Sequence, residues 1–143
     1  METSTSAAAP TPAIDFGDDG EYRPGACNIG QAEIAVRRRF GIAGVMAAGV
    51  LAVGLVAVGA PRASRLLVAL PLAAGAVGLL QARLGFCAAY GMSGVRNFSN
   101  LGQTTAVEDT TARGADRQRS LRIIGGGAAR GAAGGVLLAL LPV

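Results

Sequence analysis

Apolar and polar positions are sharply segregated along this chain. Over residues 41–60 (GIAGVMAAGVLAVGLVAVGA) no side chain is charged or strongly polar, and the same holds for residues 66–80. A small soluble domain cannot bury runs that are apolar on every face, whereas a bilayer solvates them. Twenty residues at about 1.5 Å each reach about 30 Å, the thickness of the hydrocarbon core. The turn between the runs, PRASR, is short enough to force an antiparallel hairpin. The second helix is expected over residues 66–90, with a mild kink at Pro71 and with Arg83 snorkelling to the headgroups near its far end.

The flanking patterns are different. Residues 28–40 (NIGQAEIAVRRRF) predict a short interfacial helix, with Asn28 as N-cap, Glu33 early and Arg37, Arg38 and Arg39 late, as the helix dipole favours. Residues 97–120 read as a polar cytoplasmic linker with one short helix. The last stretch, residues 121–143, is Gly-rich and apolar except for its arginines. Arg130 near the middle of 123–143 would cost about 2.5–3.5 kcal/mol at the centre of a span. A third crossing is therefore left open, and a re-entrant, interfacial or partner-dependent tail is the favoured expectation. The expected fold is an all-α membrane protein: a two-helix transmembrane hairpin over 27–96, preceded by the interfacial helix.

Within the first span, Gly44, Ala48 and Ala52 recur every four residues. Such a small-residue stripe lets another helix approach closely. An intramolecular partner is expected ahead of a homodimer.

Composition adds orientation. All thirteen basic residues are arginine, histidine and tryptophan are absent, and the net charge is +4. Charged residues make up 15%, well under the ~25% of ordinary soluble proteins. The arginines are spread out and lie beside apolar runs, which is the habit of membrane proteins and argues against nucleic acid as a partner. Arg37, Arg38 and Arg39 precede the first span and several more follow the second, while the turn holds only Arg62 and Arg65. Both ends of the hairpin are thus expected in the cytoplasm. Residues 1–26 form an acidic tail, expected to be disordered. They lack the basic and apolar regions of a signal peptide. The lysine-free, Ala/Gly/Arg-rich usage fits a GC-rich bacterial genome.

Two short stretches carry a family likeness. Asn28-Ile29-Gly30 before an arginine-rich helix, and Gly85-Phe86-Cys87-Ala88-Ala89-Tyr90 followed by Gly91, resemble the YgaP-type two-helix transmembrane domain family of bacterial inner membranes. That family is a membrane domain of unknown function, which also occurs joined to a rhodanese domain. The resemblance covers about residues 27–95. It implies an inner-membrane, multi-pass hairpin that self-associates, and no established chemistry. Ala88 stands where the family pattern has proline, so the second helix is expected to run on without a break. No rhodanese segment is present in this sequence.

Candidate chemistry is sparse. Cys27 and Cys87 fall on the same expected side of the membrane and form a candidate thiol pair or sulfur acceptor. Against that, the cytoplasm keeps thiols reduced and an apolar setting makes a cysteine inert. Without histidine no ordinary zinc or haem site is expected, and no cofactor. Gly125-Gly126-Gly127 lacks the lysine of a phosphate loop. The expected function is that of a non-catalytic accessory or scaffolding subunit bound to lipid and to other membrane helices. A thiol- or sulfur-handling membrane protein is the alternative, and an oligomeric channel or exporter is a weaker one.

Overall fold

Three helical stretches are long and apolar enough to cross a membrane in the structure, a computed structural model that describes residues 22–143. They are α1 (Gln31–Ala57), the segment Arg62–Leu84, and α4 (Thr110–Leu140). The middle segment opens as a 3-10 helix, Arg62–Val68, and continues as α2 (Ala69–Leu84). A short helix, α3 (Ala88–Ser93), and a two-residue antiparallel pair, β1 (Val95–Arg96) with β2 (Thr105–Ala106), lie between α2 and α4. Most of the expected tail over 1–26 lies outside the described residues.

Several boundaries differ from the sequence expectation. The interfacial helix and the first span are one continuous helix, α1. Nothing between Val36 and Gly44 breaks the backbone, and the Glu33–Arg37 ion pair (3.3 Å) bridges successive turns at its start. The second helix ends at Leu84 rather than running to residue 90. Gly85 takes a left-handed conformation (φ 60°) that closes the helix, as only glycine does freely. Gln81 then holds the break open: its carbonyl accepts from the Phe86 amide (3.1 Å) and its side chain from the Ala88 amide (2.8 Å). Ala88 in place of proline therefore does not carry the helix through. The polar linker is also shorter than expected, because α4 begins at Thr110, where Asp109 caps it by accepting from the Ala112 amide (2.8 Å). The C-terminal stretch belongs to this one long helix, which is long and apolar enough to cross a membrane. Residues 22–26, expected within a disordered tail, form a turn closed by an Arg23–Cys27 bridge.

The three long helices pack by removing side chains. A Cβ on Gly44 would sit 2.7 Å from the Gly75 backbone, and one on Gly78 would sit 2.8 Å from Gly41. On α4, Gly127, Gly131 and Gly135 meet Val77, Ala73 and Ala69 in turn. Residue numbers rise along α1 and α4 as they fall along α2, so both flank it antiparallel. At 3.6 residues per turn, the α2 positions facing α1 (71, 75, 78) lie roughly opposite those facing α4 (69, 73, 77). The helices thus form a slab three helices wide and one helix thick, with α2 in the middle. Its outer surface exposes Met46, Val50, Val53, Leu70 and Leu137, which suits hydrocarbon and not water. A small core of Phe86, Ala88 and Ile123, backed by Val77, Leu80 and Leu84, joins the slab to the polar end.

Candidate functional site

The polar side chains converge at one end of the slab, in a cap built from residues 22–30, α3 and the segment 94–109. The extended chain at Asn28–Gly30 threads between two strands of backbone. The amides of Asn28 and Ile29 donate to the Gly85 carbonyl (3.1 and 3.4 Å), the Gly30 amide to Asn97, and the Asn97 amide back to Asn28. Asn28 is fully buried, and its side chain works as a further stretch of backbone. Its Nδ2 donates to the Cys87 carbonyl (3.1 Å) and its Oδ1 accepts from the Cys87 amide (2.7 Å). With the Gly85 carbonyl bonded to the Asn28 amide, these bonds hold Asn28, Gly85 and Cys87 in one place. Gly30 is buried as well.

Glu33 is the hub of the cap. Its Oε1 accepts from the Tyr90 hydroxyl (2.9 Å), Asn97 Nδ2 (3.0 Å) and the Gly102 amide (3.2 Å), while its Oε2 pairs with Arg37. A carboxylate only 4% exposed is tolerable because its lone pairs are filled in this way. Arg37 in turn directs Nη2 at the Cys87 sulfur (3.2 Å) and lies over the Tyr90 ring (5.9 Å). Burial and the hydrogen bond to Glu33 push the Tyr90 hydroxyl up from its ordinary pKa.

A second buried carboxylate, Asp116 on α4, ties down the N-terminal turn. It accepts from the Tyr22 hydroxyl (2.8 Å) and the Gly25 amide (2.7 Å), while Ser120 donates to its carbonyl. Burial and this hydrogen bond push Tyr22 upward too. Arg96 stacks over the Tyr22 ring at 5.0 Å.

The residues singled out from the sequence fall in three places. Asn28, Gly30, Gly85, Phe86, Cys87 and Tyr90 all lie in the cap, with Phe86 and Cys87 almost wholly buried. Cys27 and Cys87 are both free thiols at this end. Each has its own neighbour: Cys27 Sγ lies beside Gly85 and 3.8 Å from the Ile29 carbonyl, whereas Cys87 faces Arg37. Gly44, Ala48 and Ala52 line α1, with Ala48 buried and the other two half-buried. Of the three arginines at 37–39, only Arg37 turns into the cap; Arg38 and Arg39 are exposed.

The sequence shows Glu33 by its early place in a helix and its i,i+4 spacing to Arg37 but not as a hub, and shows Asn97 and Asp116 only as linker polarity. Gly127, Gly131 and Gly135 repeat the four-residue spacing of the first span, a signal present in the sequence. Arg65, almost fully buried at the opposite end, donates to the Leu141 carbonyl (3.1 Å) and to that of Val143. Among the described residues, no three His, Cys, Asp or Glu side chains are grouped to hold a metal. Compared with family models, curated proteins and solved structures, the chain gives no match.

Proposed function

We propose that this chain is a small, non-catalytic integral membrane protein of a bacterial inner membrane, with its N-terminus cytoplasmic, acting as an accessory or scaffolding subunit. One observation carries the reading. Away from its contact with α2, α1 carries Gly49 and Gly54, neither of which has a neighbouring atom within 4 Å of where a Cβ would be. Exposed Met46, Val50 and Val53 share that helix. Bare glycine in a lipid-facing helix weakens the helix and gains nothing from lipid. It is useful where a second backbone approaches closely. The inward glycines of α1 are used in that way against α2, so the outward ones suit a helix from another chain, including a second copy. Single cysteines introduced at Gly49 and Val53 test this by oxidative cross-linking in native membranes. Cross-linked species are expected; a strictly monomeric protein in membranes and in mild detergent removes the reading.

The contact between Arg37 and Cys87 favours a second reading, a thiol- or sulfur-handling protein, because it sets a guanidinium 3.2 Å from the sulfur. Alkylation of Cys87 in intact cells, blocked by prior oxidation, is the expected sign. Full resistance to alkylation until unfolding leaves Cys87 a packing residue.

A further inference from the structure

Outside the Glu33 network, a cleft of about 390 Å³ opens where the end of α3 meets the start of α4. Ser93, Gly94, Thr110, Arg113, Gly114 and Arg117 line it. Residues 110, 113, 114 and 117 fall on one face of α4, so both arginines border the same opening. We propose that this cleft binds a phosphate group, carried either by a small soluble phosphomonoester or by a lipid with a terminal phosphate.

Four observations converge on that chemistry. First, among the described residues neither Arg113 nor Arg117 is ion-paired. The nearby carboxylates are engaged elsewhere: Asp109 caps α4 at the Ala112 amide, and Asp116 holds Tyr22 and Gly25. No acidic side chain lines the cleft. Second, the stem of Arg113 crosses Gly94, where a Cβ would sit 2.8 Å from Cδ, so the bare glycine leaves room for that path. Gly94 (φ 70°) is itself pinned, because its carbonyl accepts from the Val107 amide at 2.8 Å. Third, Ser93 and Thr110 add hydroxyl donors, and Gly114 has nothing within 4 Å of its missing Cβ, which leaves the floor bare. Fourth, Thr110 is the first residue of a 31-residue helix, whose dipole favours an anion at that end.

Two arginine forks matched to one tetrahedral anion is the arrangement that phosphate recognition favours. The volume lies at the small end of ligand sites, about 300–1,000 Å³, which suits a phosphomonoester better than a nucleotide. Arg117 stands seven residues before Ile124 in α4. That places it about 10 Å above the apolar stretch, at the level where a lipid phosphate and a soluble one are both within reach.

Calorimetric titration of the full chain in neutral detergent micelles, with inorganic phosphate and with glycerol 3-phosphate, tests the soluble source. Native mass spectrometry from micelles doped with phosphatidic acid tests the lipid source. Saturable binding in either arm is expected, weakened at least about tenfold by the Arg113→Ala/Arg117→Ala double variant, since each charge-assisted contact is worth that much. Arg38→Ala/Arg39→Ala removes the same charge from the same end and leaves binding unchanged. Ser93→Glu, at an exposed position, abolishes binding without touching either arginine and serves if the double variant fails to fold. The arm that binds identifies the source. Absence of saturable binding in both arms, or equal weakening by the Arg38/Arg39 control, overturns the proposal.

Discussion

The slab and the cap solve the same problem with opposite means. In the slab, Gly44 meets Gly75 and Gly78 meets Gly41 backbone to backbone, and the absence of side chains is the device. In the cap, Asn28, Glu33 and Asp116 reach across the chain and satisfy backbone and hydroxyl groups that no helix could serve. The difference follows from the solvent. Lipid tails are as apolar as leucine, so helices in hydrocarbon associate through close dispersion contacts. Their own backbone bonds are already made within each helix. The cap is mostly extended chain, whose orphan amides and carbonyls need partners before they can be buried. The slab should therefore fail when bulk is added, and the cap when polarity is removed.

The largest effect is expected from bulk at Gly75. A Cβ there would lie 2.7 Å from the Val45 amide nitrogen, so Gly75→Leu must push α1 away from α2 along their whole contact. Overpacking of this kind costs about 3 kcal/mol or more, because backbone rather than a flexible side chain is in the way. Gly49→Leu is the matched control. It adds the same side chain where nothing lies within 4 Å, and should change stability by less than about 0.5 kcal/mol. Unfolding in mixed micelles, compared between the two variants, checks the contrast. Equal losses would show that backbone contact between α1 and α2 does not govern the slab.

Polarity removed from the cap comes next. Glu33→Ala leaves the Tyr90 hydroxyl, Asn97 Nδ2, the Gly102 amide and Arg37 without their shared acceptor. A loss of about 2–3 kcal/mol is expected. Amide exchange should rise over residues 97–103 while α1 and α2 keep their protection. If exchange rises equally in the slab, the two regions are one cooperative unit, and the comparison between them fails.

Much of the slab was legible in the sequence, because it is written as periodicity. The uncharged runs over 41–60 and 66–80 mark helices, and Gly44, Ala48 and Ala52 mark a packing face. The same signal at Gly127, Gly131 and Gly135 was masked by Arg130, whose charge made the segment look unfit to cross. In the structure Arg130 is exposed, and its Nη1 donates to the Gly126 carbonyl at 2.9 Å, so the charge leans along its own helix toward the cap end. The break at Gly85 was hidden among 22 glycines, since nothing local marks which of them turns left-handed. The cap was legible only as isolated residues. Asn28, Cys87 and Tyr90 stood out in two short stretches, yet their meeting through Glu33 and Arg37 joins positions far apart in sequence. A single buried carboxylate such as Asp116 has no period to betray it.

A smaller effect is expected at the end away from the cap, where the slab borrows the cap's method. Arg65 is 3% exposed and binds the carbonyls of Leu141, the C-cap of α4, and of Val143 just beyond it. Arg65→Met keeps most of the buried stem and removes the donors. About 1 kcal/mol is expected, seen as faster amide exchange in the last turn of α4 with the cap unchanged. An effect on cap exchange would mean that the ends communicate through α2.

The smallest prediction separates cap from slab by pH alone. Tyr22 and Tyr90 both donate to buried carboxylates, Asp116 and Glu33, and both hydroxyls are held above their ordinary value near 10, first by burial and then by those bonds. A raised folded-state pKa means that the stabilisation is fully present below pH 10 and is lost as pH rises beyond it, because the unfolded chain releases its protons first. Stability should be flat from neutral pH to about pH 9 and then fall, with a slope of at most about 1.4 kcal/mol per pH unit for each tyrosine. Tyr22→Phe and Tyr90→Phe should each remove part of the slope, at the expense of leaving Asp116 or Glu33 with one donor fewer at neutral pH. Arginine stays charged throughout this range, and the slab holds no group that titrates there. An alkaline loss of undiminished slope in the Tyr22→Phe/Tyr90→Phe double variant would show that the two tyrosines do not carry it.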